Sequence, residues 1–79
     1  MNEPITVEAG TQTAEELLSR LESGERLVVR MDVLGSTEEI TLRYDGSIYY
    51  CDTPTTLHEH QNAAEMASCM RNQGYVSDV

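Results

Sequence analysis

Between Arg26 and Cys51 apolar and polar residues alternate in three successive runs, RLVVRMDV, EITLRY and SIYYC. A period of two, rich in β-branched side chains, is the mark of strands with one buried face. Leu27, Val29, Met31 and Val33 share one side of the first run, opposite Val28, Arg30 and Asp32. Ile40, Leu42 and Tyr44 alternate with Thr41 and Arg43 in the second. Gly35-Ser36 and Asp45-Gly46 stand where the links fall, and the latter is a strong hairpin signal. Links this short make a three-stranded antiparallel meander. One of its faces then needs a cover.

Two helices are predicted to supply it. Thr13-Ala14-Glu15-Glu16 has the capping-box spacing, and Ala14, Leu17, Leu18 and Leu21 follow as one apolar stripe that ends before Gly24. The second helix has two possible starts. Thr56 caps it at Leu57 with Glu59 at the third position, or Asn62 caps it at Ala63 with Glu65 there. Ala63, Met66, Cys69 and Met70 then share a face, and Gly74 closes the helix. Pro54 holds Thr53 extended in the loop before it. The expected fold is α+β and two-layered, a single domain over residues 1–79 in the order (β)αβββα. Both helices lie on one sheet face, and ITV forms a possible short N-terminal edge strand. Residues 1–10 and 75–79 are expected to be poorly ordered.

The hairpin at Asp45-Gly46 has two readings. A two-residue turn pairs Tyr44 with Ser47 and turns Tyr49 and Cys51 to the side of Leu42. A bulged three-residue turn pairs Arg43 with Ser47 and turns Ile48 and Tyr50 inward instead, because a slip of one residue exchanges the faces. Burial of Ile48 favours the bulged form. Under it Tyr49 joins Arg30 and Arg43 on the open face. These three residues are a candidate binding surface, since arginine suits planar acidic groups and tyrosine stacks. Cross-strand pairs that merely solvate the sheet are the alternative for the same residues.

The segment YYCDTPTTLHEHQ, with Cys69 beyond it, carries the donors for a metal. Zinc takes about four N or S ligands in a tetrahedron, and Cys51, His58, His60 and Cys69 supply the types and the number. One straight helix from Leu57 would set His58 and Cys69 about 16 Å apart. Only the late start at Asn62 leaves the histidines able to fold back. Cys69 also fits an apolar helix stripe, as buried thiols commonly do.

Composition narrows the setting. There is no Trp or Phe, and Ile, Leu and Val make up sixteen of the 79 residues, which is close to the range of disordered chains. Fourteen acids face five basic residues, every one of them arginine, and the net charge is -9. Lysine is absent. This make-up resembles that of proteins from extremely halophilic archaea, in which salt screens surface carboxylates and strengthens apolar burial. The stretch from DVLGSTEEITLRYDGSIYYCDTPTTLH to the end is likewise similar to small haloarchaeal proteins of unassigned function. That resemblance implies a habitat and brings no catalytic motif with it.

The charge disfavours nucleic acid, whose binding rests on phosphate neutralisation and weakens with salt. MNEPITVEAG is acidic and without a long apolar run, so neither a leader nor a membrane span is expected, and the cytosol is the expected compartment. The reading is a non-enzymatic protein-binding or adaptor domain without a cofactor, acting on a protein partner or on a second copy of itself. The alternative is a small zinc-stabilised domain.

Overall fold

Thr13 opens the first helix as its spacing predicts. In the computed structural model, which describes residues 3–78, the Thr13 hydroxyl accepts from the Glu16 amide at 3.1 Å. The Glu16 carboxylate accepts from the Thr13 amide at 2.8 Å. This helix, α1 (Ala14–Glu22), lies between strands β1 (Ile5–Glu8) and β2 (Leu27–Val33). The chain continues through β3 (Ser36–Tyr44), β4 (Tyr49–Asp52) and β5 (Leu57–His60) to α2 (Ala63–Gln73).

The sheet has five strands in the order β1-β2-β3-β4-β5, not three, and it is mixed. ITV does form an edge strand, but one parallel to β2, with Ile5 opposite Leu27 and Val7 opposite Val29. Parallel neighbours need a crossover between them, and α1 is that crossover. The fifth strand is the larger departure. Leu57–His60 pairs antiparallel with β4, so the early helix start at Thr56 does not occur and Asn62 is the cap of α2. Its side chain accepts from the Glu65 amide at 2.9 Å. LHEH is too short to show a period, and the sheet edge offered by β4 decides it.

The β3–β4 link corrects the bulged reading. Tyr44 pairs with Tyr49 and Leu42 with Cys51, while the Asp45 amide donates to the Ile48 carbonyl at 3.2 Å. The Asp45 carboxylate explains the shift, because it accepts from the Ser47 and Ile48 amides at 2.9 and 2.8 Å and closes the turn one residue later. The displacement from the two-residue register is even, so side-chain parity survives. Tyr49 and Cys51 therefore point inward with Leu42.

The core lies between that face and the helices. Leu17, Leu21, Leu27, Val29, Leu42, Cys51, Met66 and Met70 are fully enclosed. Tyr49 stacks on Tyr44 with ring centroids 4.2 Å apart, and its hydroxyl donates to Glu22 at 2.8 Å. Burial, followed by that carboxylate, pushes the Tyr49 phenol up to about 12.

The C-terminal segment is part of the fold. Tyr75 and Val76 are buried, and the Ser77 amide donates to the Gln12 carbonyl at 2.8 Å. Of the ends expected to be poorly ordered, residues 1, 2 and 79 lie outside the described residues. Asp78 fastens the segment to both helices. One of its oxygens accepts from the Ala14 amide at 3.0 Å, and the other meets Arg71 at 3.2 Å.

The Ala14 amide, ahead of Arg71, holds the Asp78 carboxyl below its usual 3.8. A depressed folded-state value contributes stability above the unfolded value and loses it as pH falls through the folded one. Asp78→Asn is therefore expected to lower the melting temperature at neutral pH and to flatten its decline below pH 3.8. Thermal melts across that window check this. An unchanged acid limb would show that Asp78 carries none of it.

Candidate functional site

The arginine face does not assemble. Arg30 sits opposite Glu39 and approaches it at 3.7 Å, and Glu39 and Arg43 are four residues apart on β3. That spacing sets the two arginines about 13 Å apart along the sheet. Tyr49, the third member, is in the core. Tyr50 takes its place on the open face, where the Arg43 guanidinium lies 3.9 Å over the ring and the Tyr50 hydroxyl donates to Asp45 at 2.9 Å. Asp32 similarly accepts from Thr37, its cross-strand neighbour, at 3.0 Å. These side chains occupy one another locally, as cross-strand pairs on an open sheet do.

The cysteines and histidines come closer together than their spacing suggested. Cys51 is opposite His58, and Tyr49 is opposite His60, so both imidazoles stand on the helix-covered side of the sheet. Cys69 reaches that side from α2 and adjoins Cys51. The Cys51 thiol also reaches the Tyr75 hydroxyl at 3.8 Å. A groove of about 510 Å³ runs between β5 and α2, lined by His58, His60 and Cys69 among others. The His60 Nε2 atom is buried without a hydrogen-bond partner. Among the described residues, however, no three His, Cys, Asp or Glu side chains are grouped closely enough to hold a metal ion. The four-ligand zinc centre is thus not formed: the rings of His58 and His60 lie parallel, 6.3 Å apart.

Burial, then the neighbouring Cys69, pushes the Cys51 thiol up to about 12, and burial raises Cys69 as well. A thiol held protonated is a poor resting nucleophile.

A third place was not foreseen. Along β2 the inward positions become steadily more accessible, from enclosed Leu27 and Val29 through half-buried Met31 to Val33, 37% exposed. The β2–β3 hairpin outruns the helices that cover its base. Its inward side chains, with Ile40, Thr53 to Thr56 and Tyr75, line a groove of about 400 Å³. At the tip Leu34 is fully exposed, and it has a φ of 50° followed by Gly35 at 83°. Positive φ at both central residues is what the tight hairpin turn demands, and Asn or Gly normally fills its first position. Among the described residues Leu34 is the one non-glycine with positive φ. The turn expected at Gly35-Ser36 falls one residue earlier, and so a leucine stands where turn chemistry asks for asparagine.

The molecule is a small two-layer α+β domain whose sheet has one open face and one hairpin projecting past its helices. No helix of the described residues is long and apolar enough to cross a membrane. The chain belongs to a family of unknown function (DUF8001), whose model matches residues 1–78. No curated protein and no solved structure matches it.

Proposed function

We propose that this protein is a non-enzymatic binding domain that docks a protein partner on the projecting end of the β2–β3 hairpin. One observation carries the reading. Leu34 combines complete exposure with a left-handed backbone that costs a branched apolar residue about 1–2 kcal/mol. Strain kept at a position that contributes no packing points to function. The adjacent groove, floored by Met31, Val33, Ile40 and Tyr75, offers the complementary recess.

Charge selects the occupant. Asp32, Glu38 and Glu39 rim the hairpin on a chain of net charge -9, so the fitting partner carries an apolar side chain for the groove and a basic or neutral rim. A second copy would set acidic rim against acidic rim. We place the domain in the cytoplasm of a high-salt cell, a setting supported by its lysine-free, acid-rich composition.

The test compares cross-linking partners of wild-type, Leu34→Asn and Arg43→Glu chains in high salt, followed by affinity measurement on the purified pair. The expected result is one partner retained by Arg43→Glu and lost by Leu34→Asn. Loss with Arg43→Glu alone would move the site to the open sheet face and overturn this reading. A wild-type dimer that Leu34→Asn dissociates would replace the separate partner with a second copy.

A further inference from the structure

We propose that Cys51 and Cys69 form a two-sulfur site for a soft monovalent cation, Cu(I), entered through the groove between β5 and α2. Two thiols mark the place, and a groove and a buried imidazole nitrogen lie on the way to it. Cys51 is in the core on the sheet, Cys69 packs against that core from the helix, and His58, opposite Cys51, lines the same groove as Cys69. The groove opens from Cys69 to solvent and passes both imidazoles. His60 Nε2 is a buried nitrogen that lacks a partner.

The ligand class follows from donor number and softness. Tetrahedral zinc needs about four ligands, and no three are grouped among the described residues. A d10 monovalent ion is satisfied by two sulfurs in a line, and thiolates select it over harder ions. Binding forms two S–Cu bonds and breaks two S–H bonds. Both protons leave to solvent, and no electron changes hands. The Tyr75 hydroxyl, already beside the Cys51 sulfur, then turns from acceptor to donor and stabilises the new thiolate. His60 stands in the groove as an additional nitrogen that can approach the ion once it is seated.

Tyr75 borders both sites, but Leu34 lies outside this one and Cys69 outside the hairpin groove, so substitutions at those two residues let the readings fail separately. The experiment is an anaerobic titration of Cu(I), buffered by bathocuproine disulfonate, into the reduced full-length chain. Molar potassium acetate replaces chloride, which itself ligates copper. We expect one Cu(I) per chain with ultraviolet sulfur-to-copper absorption, unchanged in Leu34→Asn. Cys69→Ser, at a half-buried helix position, is expected to keep its circular dichroism and lose both signals. Cys51→Ser is expected to lose them too, and His60→Ala to weaken binding by roughly tenfold. Copper retained at full affinity by Cys69→Ser would overturn the proposal, as would stoichiometric zinc taken in preference to copper.

Discussion

Leu34→Asn is expected to make this protein more stable and to abolish the docking proposed for its hairpin tip. The two effects have separate causes. Leu34 is fully exposed, so its removal leaves no cavity and breaks no packing. The remaining contribution is the backbone at φ 50°, which asparagine tolerates and leucine does not. Relief of about 1 kcal/mol should raise the melting temperature by roughly 4–8 °C in a domain of this size. At the proposed interface the same change removes a side chain whose burial would contribute about 1.5–3 kcal/mol, so affinity should fall by roughly ten- to a hundredfold. Leu34→Ala separates the two, since it loses binding while the left-handed cost persists. A Leu34→Asn protein that melts lower, or binds as before, would refute the assignment.

Salt is expected to decide whether the domain is folded at all. Fourteen acids and five arginines give a net charge of -9, and no charged side chain is buried among the described residues. Repulsion between exposed carboxylates reaches over a Debye length of about 10 Å at 0.1 M and about 3 Å at 1 M. Salt also weakens favourable pairs, but three are present among the described residues, each well exposed and worth at most about 1 kcal/mol. Acids outnumber bases, so the lost repulsion wins. The core has no Trp or Phe and gains from the stronger apolar burial of concentrated salt. Relieving about 2 kcal/mol corresponds to roughly 10 °C in melting temperature. Helical circular dichroism should therefore rise, and the melt move upward, from dilute buffer to molar KCl. A signal and a melting temperature independent of salt would remove the halophilic reading.

Local rules settled much of the architecture. The Thr13 box and Gly74 at φ 79° each act within a few residues, so their spacing alone places those helix ends, whereas the Asn62 cap competed with Thr56. The alternation in β2 and β3 placed Leu27, Val29, Ile40 and Leu42 in the core, because a period of two leaves a buried face no other set. Where sequence reading failed, two local signals competed. TLHE reads equally well as a helix cap, and only the vacant edge of β4 turns Leu57–His60 into a strand. Asp45-Gly46 is a turn signal, yet the Asp45 carboxylate capturing two amides moved the turn onward and sent Tyr49 inward.

The candidate sites divide the same way. Composition by itself set the charge, and with it the expected response to salt. The anomaly of the hairpin tip needed the strand register, because the turn expected at Gly35-Ser36 falls at Leu34-Gly35 instead. Only the tertiary structure separated Arg30 from Arg43, because position along a strand becomes distance once register is fixed. Only helix packing on the sheet brought Cys69 to the core that holds Cys51, since seventeen intervening residues constrain no distance until α2 docks. Short-range rules choose elements and faces. Which faces meet is decided by the burial of the whole apolar set, and that is a property of the assembled layers.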